Sequence, residues 1–233
     1  HRKVLVVDGN KAFTGGMNIG EHYQRQWHDQ QTLVTGPAVK NLQDAFFTNW
    51  KREGGTVPEQ AELANYYRPE PDQVDGSETY VVQHTGDMTD RNIKAAYLKA
   101  FNTAEKSITL ANPYFADADV VQALCNAAKR GVEVKVVLPA ENDMAIVKRA
   151  AAAYYPDLIK SGAQVYEYQD RMAHQKVAVV DGKWATVGSS NLDARSLEYN
   201  DEMNLVVLDE KFAGDIQPKM FDIDLQQSKR ITS

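Results

Sequence analysis

Eight residues of this chain are of types that carry acid–base and phosphate chemistry, and they fall into two matched sets. His1, Lys3, Asn18 and Asp29 recur as His174, Lys176, Asn191 and Glu202, each displaced by 173 positions. Around them Asp8 returns as Asp181 and Gly15 as Gly188, while Gly16 is answered by Ser189. Both copies read H-x-K-x4-D-x6-G-[GS]-x-N, and two gapless copies are far more specific than one short motif. Imidazoles titrate near neutrality and serve as nucleophile, acid or base. Ammonium and amide groups stabilise the nonbridging oxygens that gather charge as phosphorus becomes five-coordinate. The combination suits a phosphodiester. Asp29 and Glu202, each 28 residues after its histidine, are expected to fix imidazole tautomer and orientation. Histidines with carboxylates also build metal sites, but a lysine two residues from each histidine repels a cation, so neither metal nor cofactor is expected.

The elements that must position these groups can be read from both copies. "KVLVV-DGN-KAFTG" and "KVAVV-DGK-WATVG" are β-rich runs joined by Asp-Gly, a hairpin signal. A turn centred on Gly9-Asn10 sets His1 opposite Asn18, Lys3 opposite Gly16 and, in the second copy, His174 opposite Asn191. Asp8 and Asp181 then lie at the turns as structural hydrogen-bonding residues. "QTLVTGP" reads as a strand and "AVKNLQDAFFTNW" as a helix with Val39, Leu42, Phe46 and Trp50 on one face. Residues 52–78, rich in glycine, proline and acid, read as a linker or lid. From Thr79 strands and helices alternate up to the second hairpin, which is α/β organisation with a largely buried sheet. Residues 1–51 are thus expected to be the C-terminal part of a first half and 79–233 a second half. The second half has residues 79–173 ahead of its motif, which the first lacks. The expectation is the C-terminal part of a longer enzyme, its first half truncated at the N-terminus.

With 43% hydrophobic residues the chain can bury a full core, and a net charge of −6 supplies no global positive field for nucleic acid. Cys125 sits at helical spacing among small apolar residues, as a core thiol would. No apolar run approaches membrane-spanning length. His22, His28 and His84 have no repeat partner of their own type and are expected in loops or at the surface.

The paired H-x-K-x4-D motifs, the glycine-rich asparagine-containing segments and the downstream carboxylates resemble the phospholipase D superfamily, in which two half-sites form one active site. "HRKVLVVDG", "AFTGGMNIG", "GPAVKNLQDAF", "ANPYF" and "WATVGSSNLDARSLEYNDEMN" are, within it, similar to bacterial cardiolipin synthases. The resemblance implies a phospholipase D-like fold of two pseudo-symmetric halves, mixed β-sheets flanked by helices. It implies phosphatidyl transfer through a covalent phosphohistidine, with His1 as nucleophile and His174 as acid/base, an assignment that internal symmetry alone leaves open. It further implies a phospholipid partner such as phosphatidylglycerol, met at the bacterial inner membrane on its cytoplasmic face. Tyr114 and Phe115 of "NPYF" could then line a lipid entrance. Hydrolysis of phospholipid or nucleic acid by the same chemistry is the alternative. Two complete half-sites argue against a noncatalytic scaffold, and family nucleases often carry one motif per chain and dimerise.

Overall fold

A computed structural model describes residues 1–67, 76–87 and 89–232. Residues 1–52 contribute β1 (Val4–Val7), β2 (Lys11–Gly15), α1 (Glu21–Arg25), β3 (Trp27–His28), β4 (Gln31–Thr35) and α2 (Ala38–Arg52). After α3 (Gln60–Leu63) come β5 (Glu78–Thr85), α4 (Asn92–Thr103), β6 (Ser107–Ala111), α5 (Ala118–Lys129), β7 (Glu133–Pro139), α6 (Ala145–Ala152), α7 (Tyr155–Ser161) and β8 (Gln164–Tyr168). The chain closes with β9 (Met172–Ala173), β10 (Val177–Val180), β11 (Trp184–Gly188), β12 (Asp201–Leu208), α8 (Glu210–Ile216), α9 (Asp222–Gln226) and β13 (Ser228–Ile231). Of the expected linker, residues 68–75 lie outside the described residues.

Eight strands form one mixed sheet in the order β13-β8-β7-β6-β10-β11-β12-β5, parallel through β6, β7 and β8. This is the mixed α/β class that the alternating pattern predicts. Strand β10 is apolar at every position, Val177 to Val180, because both faces of the sheet are covered. Ala178 and Val180 join the core beneath α4 and α5, and Val177 and Val179 join a second core with Phe221. Cys125 is buried in the first of these.

The N-terminal strands form a three-stranded antiparallel sheet, β1-β2-β4. One face, with Ala12 and Val34, packs with Val39, Leu42 and Ala45 of α2 onto Met203, Leu205 and Val207 of β12. That shared core brings the two hairpins onto one body. The inner face of α2 departs from expectation: Val39 and Leu42 are buried, but Phe46 and Trp50 are 44% and 48% exposed and stack on each other. The repeat counterpart of α2 is α8 and α9 joined by a π-helical turn, Gln217–Phe221. Pro218 stands there in place of Ala45, and a residue without an N–H cannot continue the α-helical ladder. Among the described residues no helix is long and apolar enough to cross a membrane.

Candidate active site

The two hairpins are built alike, but their register is one step from the expected one. Asp8 and Gly9 take φ of 52° and 62°, and Asp181 and Gly182 take 54° and 66°. Both turns therefore centre on Asp-Gly, with Asn10 N–H donating to the Val7 carbonyl and Lys183 N–H to the Val180 carbonyl. Asn10 and Lys183 become extra residues in the return strands, so Val7 faces Lys11 and Val180 faces Trp184. The expected opposition of each histidine to its asparagine is thereby lost. Asn18 is exposed, its Oδ1 taken by the Ile19 N–H at 2.9 Å. Asn191 is buried, and its Oδ1 has no hydrogen-bond partner among the described residues. Asp181 accepts the N–H groups of Glu105, Lys106 and Ser107. Burial pushes its pKa up, but these three bonds outweigh it and hold the carboxylate low.

The carboxylates pair crosswise. His1 Nδ1 donates to Glu202 at 3.0 and 3.1 Å, while His174 Nδ1 donates to Asp29 Oδ2 at 2.7 Å. Each histidine is thus held at Nδ1 by the acid of the other copy of the repeat, which fixes the tautomer with Nε2 unprotonated in the neutral ring. Glu202 is fully buried and also accepts Ser189 Oγ at 2.6 Å and Asn200 Nδ2 at 3.3 Å. The exchange of Gly16 for Ser189 between the two copies has its reason here. Ser189 bonds its acid, whereas Gly16 lies so close to Asp29 that a Cβ would fall 2.3 Å from Oδ1.

Electrostatics tie the two half-sites together. Lys176 is fully buried, its Nζ 3.0 and 3.2 Å from the two ring nitrogens of His174. Burial, aided by the Lys3 ammonium and opposed by Asp29, pushes Lys176 down to about 7. Burial likewise brings Lys3 to about 8 against the pull of Glu202 and Asp29. His174 is lowered by burial, supported by its bond to Asp29, and lowered again by Lys176 and Lys3. The Lys3 ammonium thus acts on both Lys176 and His174, groups that belong to the other copy of the repeat. Among the described residues no three His, Cys, Asp or Glu are grouped to hold a metal ion.

Several contacts lay outside the sequence reading. Trp27, Tyr23 and Tyr114 wall His174, with ring centroids 4.6, 5.6 and 6.5 Å from it. Burial, helped by Asp29 and Asp143, pushes Tyr23 up to about 12, so its hydroxyl stays protonated. Tyr114 donates to Asp143 at 2.8 Å. Phe115, expected at an entrance, is instead fully buried in the core and bridges to Leu192, because the backbone after Pro113 turns it inward. His84 is also no surface residue: it is buried in β5 directly opposite Glu202. His28 is in β3 and bonded to Asp224; His22 packs on Tyr23 and Trp27. The 173-residue offset pairs His28 with Asp201, a signal that could have singled it out.

Comparison with known proteins gives a consistent picture. Residues 97–222 match the family model described as cardiolipin synthase, PLD-like domain. The chain is 33% identical over 239 residues to a probable cardiolipin synthase, YwiE, of Bacillus subtilis, covering 100% of this chain and 47% of that protein. It is 37% identical over 213 residues to a cardiolipin synthase of Geobacillus kaustophilus, covering 88% and 42%. The chain spans about half the length of the curated relatives it matches. Among solved structures, a phosphatidylserine synthase of Haemophilus influenzae superposes with a TM-score of 0.74 at 14% identity, covering 100% of this chain and 63% of that one. Nuc of Salmonella typhimurium, a phospholipase D family member, gives 0.60 at 24%, covering 68% and 100%. At these identities the structures speak for the fold.

Proposed function

This chain belongs to the phospholipase D-like family of cardiolipin synthases, and from that premise we propose that it forms the active site of a phosphatidyltransferase with phosphatidylglycerol as donor and acceptor. The observation that carries the reading is the crosswise pairing of His1 with Glu202 and His174 with Asp29. It makes one site from two half-sites and leaves one imidazole for attack and one for proton transfer.

In the first step His1 Nε2 attacks phosphorus. The bond to the glycerol headgroup breaks, and His174 gives its proton to the departing alkoxide, leaving a phosphatidyl-histidine and free glycerol. Lys3, Lys176 and Asn191 hold the nonbridging oxygens, with Asn18 brought in by a local change of its side chain. In the second step His174, now a base, takes the proton of a second phosphatidylglycerol hydroxyl. Its oxygen attacks phosphorus, releasing His1 and giving cardiolipin. The aromatic wall of Tyr23, Trp27 and Tyr114 around His174 supports the reading, since exclusion of water lets an alcohol compete at the intermediate. We further propose that residues 1–51 and 79–233 are the two family half-domains, acting at a membrane surface. Product analysis of the protein carrying this chain, given phosphatidylglycerol vesicles, tests the proposal. Cardiolipin with equimolar glycerol is expected; phosphatidic acid as the main product would make it a hydrolase.

A further inference from the structure

A second set of contacts holds the backbone around each histidine and follows the same displacement of 173. The His174 N–H donates to the His28 carbonyl at 2.7 Å, and the α-ammonium of His1 donates to the Asp201 carbonyl at 2.6 Å. His28 and Asp201 are repeat partners, each directly before the carboxylate of its half. Their side chains differ, and so do the groups that hold them. Asp201 is paired with Arg52 at the end of α2. His28 donates from Nε2 to Asp224 Oδ1 at 2.7 Å, on α9, the counterpart of that helix end. A carboxylate held by a nitrogen donor is kept, with the two sides exchanged.

The residues between histidine and lysine follow the same plan. Arg2 Nη1 donates to Asn49 Oδ1 of α2 at 3.2 Å, and Gln175 Nε2 donates to Asp224 Oδ2 at 2.7 Å. Around His1, Arg52 and Asn49 divide two tasks. Around His174, the two oxygens of Asp224 perform both. Asp224 is buried, and the His28 ring it holds is stacked on Tyr168 with centroids 5.0 Å apart. One carboxylate thus fixes Gln175 on one side of His174 and, on the other, the strand whose carbonyl and next residue, Asp29, hold His174.

We infer that Asp224 is a positioning residue for His174, and that Arg52 is its counterpart for His1. The inference rests on the proposed division of labour between the histidines, and that division makes it testable. Loosening a proton donor slows expulsion of a poor leaving group such as glycerol far more than of an aryl oxide that needs no proton. Loosening the nucleophile slows both.

The experiment compares Asp224→Asn, Asp224→Glu, Arg52→Gln and, as a control, His174→Ala in the protein carrying this chain. Substrates are phosphatidylglycerol and phosphatidyl-p-nitrophenol, with first-turnover nitrophenolate release recorded. Asp224→Asn should lower kcat on phosphatidylglycerol by about tenfold to a hundredfold with KM little changed, since an ångström of misplacement costs that order. Nitrophenolate release should fall less than about threefold, and Asp224→Glu should restore most of the loss. Arg52→Gln should slow both substrates alike. Equal loss on both substrates with Asp224→Asn, while His174→Ala remains leaving-group dependent, would overturn the inference. If His174→Ala itself shows no such dependence, the acid assignment fails instead. The clamp is then judged by the 15N resonance of the His174 Nδ1–H, which Asp224→Asn should shift or broaden and which, if unchanged, refutes it.

Discussion

Replacing Glu202 by glutamine separates orientation of His1 from its seating in the fold. The side chain is fully buried and accepts His1 Nδ1 at 3.0 Å and Ser189 Oγ at 2.6 Å. Glutamine is nearly isosteric, and its carbonyl oxygen can still accept from His1 while Ser189 turns its hydroxyl toward the Met203 carbonyl, 3.3 Å away. What is lost is the charge opposite an imidazole that becomes cationic in the reaction. A hydrogen bond to a charged group is worth about 1.5–3 kcal/mol, which at about 1.4 kcal/mol per decade lowers kcat by about 10- to 150-fold. If the amide turned its NH2 toward His1, the tautomer would invert and the loss would approach about 10⁴. Stability moves the other way. Burial raises the Glu202 pKa, with Ser189 opposing it, so the folded protein holds the Glu202 proton more tightly than the unfolded chain does. Its contribution is present below the ordinary carboxylate range and is lost as pH rises through the raised value. The variant should therefore melt no lower than the parent at neutral pH, and its relative stability should grow from acidic to neutral pH. Steady-state kinetics and calorimetry on one preparation provide the test. An unchanged kcat, or a fall in kcat matched by a fall in melting temperature, would refute the reasoning.

Gly16→Ala should place a methyl against the Asp29 carboxylate, displacing His174's partner and cutting kcat by about tenfold or more with the fold retained, as seen by circular dichroism. The alkaline limb of kcat/KM should fall between about pH 7 and pH 8 as Lys176 and Lys3 lose their protons. Lys176→Arg, which keeps its charge, should move that limb toward the Lys3 value. Phe115→Ala should cost about 3–5 kcal/mol in denaturant unfolding, as loss of a buried aromatic does. Phe115→Leu should retain KM for phosphatidylglycerol, against a role at a lipid entrance.

Much of the scaffold was legible because the repeat and the hydrophobic periods are local signals. The DG dipeptides announced both hairpins, and the alternation after Thr79 announced the mixed sheet. The register slipped because Asp8 and Asp181 themselves enter the left-handed region, which moved the turn centre and left an extra residue in each return strand. The matched spacing of Asp29 and Glu202 marked them as acids near the histidines, but spacing within a half carries no information on which histidine each meets. That depends on how β1-β2-β4 packs on β12, a long-range contact. The burial of His84 and Phe115 has the same origin: β5 adds to the far edge of the sheet, and the loop after β6 turns inward toward Leu192. The wall formed by Tyr23 and Trp27 comes from the short segment α1–β3, whose pattern was too brief to read.

The central claim is that two half-sites act as one, with His1 attacking phosphorus and His174 moving the proton. The most direct measurement is alkaline quenching of the protein during turnover of phosphatidylglycerol, followed by peptide mass spectrometry of both histidines. A phosphatidyl adduct on the His1 peptide, abolished by His1→Ala and accumulating in His174→Ala with the nitrophenyl substrate, is the predicted result. An adduct on His174, or turnover with no adduct on either histidine, would contradict it.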